Sequence, residues 1–327
     1  MPRTRHAPQR PAGPAAPWLS VIMPVHKGER YLGATLASAA AEQPAGVEFL
    51  MYDSCQDDGA ARRVADGFSD RLDIRWHDAA DLSSWHDKTN RGVADARAPY
   101  VASLHHDDLW LPGHLAALRR SIVAYPDAAL SIAPSRFIGP RGEALGTWRL
   151  PSAPGEWPGA TVAEYLLTQN FIAIPSPLIR RDAWLACGGL DETLWYTADW
   201  DLYLKLAALG SVVVRGETTT AFRVHGQSLT MTGSTDLGAF RAQHEQVLAR
   251  HLPMLGNRAA ETERRARASV SVNCALAAAA VGQRANLTGA ARELLALGPL
   301  GLSRYVRQSR IVDRVRPRVR LKLAGAL

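Results

Sequence analysis

Residues 99–112 read PYVASLHHDDLWLP, an apolar run that stops abruptly at His105, His106, Asp107 and Asp108. The run has the length of a buried strand, and the polar cluster falls at its carboxyl end. Working outward, the same pattern precedes it three times. WLSVIMPV (18–25) is followed by GERYLGATLASAAAEQ (28–43), whose apolar residues recur at helical spacing. VEFLMYD (47–53) is followed by DDGAARRVADGF (57–68), and LDIRWHD (72–78) by HDKTNRGVADAR (86–97). Such alternation of strand, polar loop and helix predicts an α/β fold with right-handed crossovers and a mostly parallel sheet covered on both faces. Ligands of such sheets bind beyond the carboxyl ends of the strands. That places residues 25–29, residues 53–59 with Asp57 and Asp58, the segment after His77 and residues 105–108 on one rim. Neither a GxGxxG nor a GxxxxGK[ST] follows any of these strands, so bound phosphates require another device.

Farther on, residues 140–158 are rich in Pro, Gly and Trp and read as a loop, and ATVAEYLLTQ (160–169) reads as a helix. A turn-rich stretch then leads to an amphipathic helix from about Asp199, SVVVRG (211–216) and TTTAFRVHG (218–226) supply two more strands, and residues 236–300 are Ala- and Leu-rich and helical. The 327 residues, 47% of them hydrophobic, can bury a large core. Cys55, Cys187 and Cys274 stand in neither disulfide nor zinc spacing and fit a reducing cytoplasm. No apolar run reaches the about 18 residues that cross a bilayer. Residues 1–17, Pro- and Arg-rich with no apolar segment, read as a disordered leader.

The formal net charge of +7 is a property of the ends. The last 27 residues alone carry +7 and the leader +3, which leaves residues 18–300 at −3. The body therefore has no basic excess for nucleic acid. In the tail, basic residues interleaved with Val, Ile and Leu suit either the anionic face of a membrane or a solvated helix.

The four strand ends offer Asp53, Asp57, Asp58, Asp87, Lys88, His105, Asp107 and Asp108. Asp108, shortly before Pro112, has the sequence position of a helix cap, but so many acid and amine groups on one rim suit a hard dication, Mg2+ or Mn2+, with phosphate oxygens completing its shell. Asp199 and Asp201, at i and i+2 near a helix start, point about 200° apart, so one faces a cleft and the other serves as a cap or faces solvent. His225 follows a strand, as a metal ligand or as a histidine satisfied beneath a loop.

Taken in order, SVIMPVHKGERYLGATLASA (20–39), EFLMYDSCQDDG (48–59), WHDKTNRGVADARAPYVASLHHDDLWLPGHL (85–115), CGGLDETLWYTADWDLYLKLAALG (187–210) and FRVHGQSLT (222–230) resemble the inverting family 2 glycosyltransferases of the GT-A fold. The resemblance implies a Rossmann-like central sheet in a glycosyltransferase domain over 18–235, followed by a helical extension with a basic tail over 236–327. It implies that Pro24, His26 and Asp53 hold the nucleoside, with Asp87 and Lys88 near the base or diphosphate. Asp107, on the second aspartate of the Asp-x-Asp motif, with Asp108 beside it and His225, would hold Mn2+ or Mg2+, and Asp199 would be the general base. The Asn-x-Gly of 90–92 corresponds to a turn in a helix. Three positions depart from the pattern: His105 replaces the first aspartate of Asp-x-Asp, where it would contact the nucleotide sugar, Ser54 follows Asp53 in place of an aspartate, and Ala198 precedes Asp199 in place of an acid. The implied partners are a nucleotide-diphosphate sugar and a glycan or lipid-linked acceptor, at the inner face of the membrane or in the cytoplasm. Two rivals are a scaffold of the same fold that has lost catalysis and a metal hydrolase built on residues 105–108.

Overall fold

The computed structural model describes residues 16–55, 59–227, 236–280 and 282–325. Most of the expected leader lies outside the described residues, as do Asp57 and Asp58.

Four strands form the parallel half of an eight-stranded sheet: β1 (Leu19–Val25), β2 (Val47–Asp53), β3 (Asp73–Asp78) and β4 (Tyr100–Ser103). Every residue of β1 and β2 is buried, as expected where helices cover both faces of a parallel sheet. Successive side chains go to opposite faces: Val21, Met23 and Val25 meet Leu32 and Leu36 of α1 (Glu29–Ala40), while Ile22 packs with Val93 of α3 (Trp85–Asp95) on the other side. The 12-residue α1 begins after Gly28 without a side-chain cap, so its amphipathic packing rather than a cap holds it in place. A shorter helix, α2 (Ala60–Asp66), connects β2 to β3.

The Asn-x-Gly of 90–92 lies inside α3 and forms no turn. Its glycine serves close packing: a Cβ on Gly92 would sit 2.5 Å from Ile22 Cγ2 and 3.1 Å from Tyr52 Cε2. Gly92→Ala is therefore expected to lower stability by about 1–3 kcal/mol, the usual cost of overpacking. The measurement is a urea midpoint at unchanged slope; an unshifted midpoint would mean that α3 moves off the sheet without cost.

The remaining strands of the large sheet are β6 (Leu130–Ile132), β9 (Gly155–Pro158), β10 (Leu178–Arg180) and β11 (Ser211–Val214), and the strand order is β3-β2-β1-β4-β10-β6-β11-β9. β10 runs antiparallel to β4 and β6, and β9 antiparallel to β11. A second sheet, in the order β5-β12-β7-β8, comprises β5 (Leu109–Trp110), β7 (Ser135–Ile138), β8 (Ala144–Trp148) and β12 (Thr220–Arg223). The stretch 140–158, expected as a loop, thus contains two strands. Each is stabilised by a partner distant in sequence or across a bulge, which local composition does not reveal.

The order of the strands reverses between the parallel neighbours β1 and β4: β2 and β3 lie to one side, and β4 and then β10 to the other. The carboxyl ends of β1 and β4 flank this switch point, the place where an open α/β sheet leaves a crevice.

Helices α4 (His114–Ala124), α5 (Gly159–Thr168), α6 (Arg181–Ala186) and α7 (Ala198–Ala208) are followed by α8 (Leu237–His251), a 3-10 segment (Leu252–Arg258), α9 (Ala259–Ala280), α10 (Leu287–Ala296), α11 (Gly298–Ser309) and α12 (Ile311–Leu323). Val247, Leu248, Ala266 and Val270 of α8 and α9 join the core formed by α5 and α7.

Candidate active site

The end of β1 and the first turn after β2 meet through Lys88, which α3 carries at 2% exposure. Its ammonium donates to the Val25 carbonyl at 2.7 Å and to Ser54 Oγ at 2.6 Å. His26 Nδ1 lies 3.1 Å from the same hydroxyl. Burial holds Lys88 below the usual lysine range, opposed by the charge of Asp53. Asp53, 6% exposed, accepts the Cys55 N–H at 2.9 Å. Pro24, His26, Asp53 and Lys88 thus converge on one strand-end corner. Ser54 supplies the hydrogen-bond acceptor where the family pattern has an acid. Asp87 sits in the first turn of α3, capped by Ser84, and its carboxylate meets His86 Nδ1 at 3.1 Å. Burial pushes Asp87 up, but these hydrogen bonds outweigh it and leave the group below the normal range.

Beyond β4, the turn of residues 105–108 is held from two sides. The Thr35 hydroxyl of α1 faces the His106 and Asp108 carbonyls, each at 2.8 Å. Arg223, at the end of β12, donates its backbone N–H to Asp108 Oδ1 at 2.9 Å and Nε to the Asp107 carbonyl at 2.7 Å. Two residues later His225 presents Nε2 to Asp107 Oδ2 at 2.9 Å. The Asp107 carboxyl is held at about 2: burial opposes ionisation, and the His225 hydrogen bond with the neighbouring histidines overcomes it.

Asp108 does not cap the following helix, whose N-cap is Gly113. It is 1% exposed and anchors β12 through one carboxylate oxygen, and burial together with the Asp107 charge raises its carboxyl well above the usual range. His105 packs its ring 5.6 Å from Trp85, and burial lowers it to about 4, so it is neutral at physiological pH.

Across the crevice, Asp199 opens α7. Its Oδ1 accepts the Trp200 N–H at 2.8 Å and its Oδ2 accepts Asn170 Nδ2 at 3.0 Å. Burial raises it to about 6 despite both bonds. Asp199 lines a narrow recess with Trp85, Ser103, Trp184 and Tyr203. Ser103 ends β4, the strand that leads into Asp107, so the raised carboxylate and the Asp107 turn border the same region of the fold.

Asp201, expected as a cap or solvent group, is completely buried. It binds His251 and Arg250 at 2.8 Å each and Lys205 at 2.8 Å, and so ties α7 to α8. A helix from the extension supplies Arg250 and His251, which is why this environment was illegible from local spacing. Asn90 clips α3 to the segment before α7, donating to the Leu190 carbonyl and accepting the Leu190 N–H, both at 2.9 Å. Gly189, at φ +65°, makes room for this: a Cβ would lie 2.6 Å from Asn90 Oδ1. Thr35, Asn170 and Arg223 escaped the sequence reading. Only Arg223, a charge inside an apolar strand two residues before His225, left a local signal.

The class defined by this fold and crevice is the GT-A glycosyltransferase. Residues 20–177 match the model of Glycosyl transferase family 2. An uncharacterized glycosyltransferase of Rickettsia typhi is 24% identical over 242 residues, 69% of this chain and 70% of its own. The O-antigen biosynthesis protein RfbC of Myxococcus xanthus is 23% identical over 248 residues, 75% of this chain and 19% of that protein. In structure the chain is similar to S. aureus TarS 1-349 in complex with UDP-GlcNAc, with a TM-score of 0.62 at 13% identity, covering 89% of this chain and 81% of that one. It is also similar to the mannosyltransferase PcManGT of Pyrobaculum calidifontis in complex with GDP-Man and Mn2+, with a TM-score of 0.52 at 18% identity and coverage of 93% and 86%. The protein is an enzyme of the glycosyltransferase type.

Proposed function

We propose that the protein transfers a sugar from a nucleotide-diphosphate sugar to an acceptor hydroxyl with inversion, using Asp199 as general base. The observation that carries this reading is the Asp199 carboxylate, raised to about 6, in a recess bordered by the end of β4. A base of that strength is largely ionised at neutral pH yet still able to take a proton as the hydroxyl attacks. Attack from the face opposite the diphosphate inverts the anomeric centre in one displacement. The leaving diphosphate needs no proton, so a second carboxylate of the glycosidase kind is not required.

Pro24, His26 and Asp53 hold the nucleoside, with Asp87, Lys88 and His105 along its flank. Lys88, buried and positive, would oppose charge on the donor. Among the described residues no group of three or more His, Cys, Asp or Glu side chains converges on a metal position. The facing pair of Asp107 and His225 nevertheless fits a site in which protein gives two ligands and the donor and water give the rest. Those two would hold Mn2+ or Mg2+. When bound, the ion supplies counter-charge to the leaving diphosphate.

RfbC is named for O-antigen biosynthesis and TarS and PcManGT were solved with nucleotide sugars, which supports a role in surface polysaccharide or glycolipid synthesis. Among the described residues no helix is long and apolar enough to cross a membrane. Leu295, Leu300 and Val312 are exposed on the basic extension and suit peripheral contact with an anionic bilayer from the cytoplasmic side. We take the catalytic domain to end near residue 235, where the helical extension begins.

Incubation with UDP-, GDP-, dTDP- and CDP-sugars and Mn2+ tests the reading. One donor is expected to release its nucleoside diphosphate, slowly to water and faster with acceptor. No release from any donor would favour a scaffold of the same fold, and cleavage of simple phosphoesters would favour a hydrolase.

A further inference from the structure

The basic tail folds back onto the catalytic half of the chain. Leu321 of α12, 2% exposed, packs with Phe137, Leu145 and Val224, the last of which precedes His225. One and two turns before Leu321, Pro317 and Arg314 continue the packed side of the helix, and Arg318 follows Pro317. Arg318 Cζ stands 5.9 Å from the Phe137 ring centroid, and Nη1 donates to the Arg314 carbonyl at 2.6 Å. Arg314 Nη2 reaches Asn273 Oδ1 only at 3.4 Å, and its Nη1 is buried with no hydrogen-bond partner. The one carboxylate of α12, Asp313, is engaged by Arg310 and Arg149. Among the described residues neither Arg314 nor Arg318 has an ion-pair partner. Burial depresses both guanidinium groups, Arg314 to about 10 with the Arg318 charge adding to the effect, and the Tyr196 phenol lies close enough to oppose both shifts.

Two neighbouring, half-buried cations without a carboxylate are unfavourable unless an anion completes the site. Their place in the fold indicates which anion. On one side is the small sheet whose β12 leads to His225 and Asp107; on the other is Tyr196, three residues before Asp199, in the segment that opens α7. We propose that Arg314 and Arg318 bind a phosphate ester carried by the acceptor, so that α12 forms the acceptor-side wall of the active site. This rests on the transferase reading above and adds to it a substrate class, the phosphorylated acceptor. A guanidinium pair suits a phosphate better than a neutral glycan, because its N–H groups form charge-assisted, bidentate hydrogen bonds.

The test uses the full chain and titration calorimetry with sn-glycerol 3-phosphate, with glycerol as the uncharged control. The wild type should bind the phosphate ester and not glycerol, and Arg314→Gln/Arg318→Gln should weaken that binding about tenfold or more. Affinity for the nucleoside diphosphate with Mn2+ should stay within about threefold, since the pair lies outside the donor corner. Absence of glycerol 3-phosphate binding in the wild type, or equal binding in the variant, overturns the proposal. So does a parallel loss of nucleoside diphosphate affinity, which would assign the pair to the donor. If the glutamine variant melts early, Arg314→Lys/Arg318→Lys keeps charge but not the fork, and unchanged affinity there is equally fatal. Partition onto phosphatidylglycerol vesicles separates two sources of the phosphate: a fall in the variant identifies a lipid headgroup, and unchanged partition beside lost glycerol 3-phosphate binding identifies a soluble phosphoglycan. Failure of the wild type to bind any nucleoside diphosphate with Mn2+ would count against the transferase reading itself, separately from the arginine site.

Discussion

Asp199→Asn is expected to lower kcat by about two to four orders of magnitude, the range for loss of a general base, while nucleoside diphosphate binding stays near the wild-type value. The side chain accepts from Trp200 and Asn170, and neither partner belongs to the corner that holds the nucleoside. The pH dependence has a definite sign. Transfer needs the ionised carboxylate, and burial raises its pKa to about 6, so the wild-type kcat should be flat above that value and fall about tenfold per pH unit below it. Whatever activity the variant retains should lack this acid limb. A variant that transfers at the wild-type rate, or that keeps the limb near 6, removes Asp199 from the role. Asn170→Ala gives a graded companion result: losing one hydrogen bond to the carboxylate should move the limb upward, because the ionised form loses a donor.

Asp107→Ala is expected to abolish the Mn2+-dependent part of nucleoside diphosphate affinity and to reduce kcat/KM about a hundredfold or more, given the several kcal/mol that a bound metal contributes to charge stabilisation. The turn itself should survive the change. Arg223 holds it through the Asp107 carbonyl and the Asp108 carboxyl, and Thr35 holds it through two further carbonyls, none of which the substitution removes. Titration of wild type and variant with the preferred nucleoside diphosphate, with and without Mn2+, makes the comparison. Superimposable curves in the presence of Mn2+ would exclude Asp107 from metal binding. His225→Ala should show the same direction with a smaller effect, since it removes a neutral ligand and leaves the carboxylate.

The parallel half of the sheet was legible because it is periodic and continuous in sequence. Apolar runs at 19–25 and 47–53 can be buried on both faces in only a few ways, and the four polar strand ends lie along one rim by the geometry of the crossover. The convergence of Pro24, His26, Asp53 and Lys88 on one corner follows from the same topology. The strands at 144–148 and 155–158 were not legible, since the first pairs with 135–138 across a bulge and the second with the distant 211–214. Side chains whose partners come from the extension, such as Asp201 with Arg250 and His251, were hidden for the same reason.

The contrast between Asp107 and Asp108 is the clearest division. Adjacent aspartates at a strand end are equivalent in sequence, and the sequence by itself determined that a strand would deliver both to the switch-point rim. Only the tertiary structure decided between them. β12, arriving more than a hundred residues later, buries one against its backbone and sets an imidazole against the other. The physical reason is that strand and helix periodicity are local properties, whereas desolvation and hydrogen-bond partnership, which set the charge of a carboxyl, depend on which distant segment packs beside it. The basic tail follows the same rule: its charge is written in its composition, but that Leu321 is buried against Phe137 and Val224 and Arg318 stands over the Phe137 ring depended on α12 finding the small sheet.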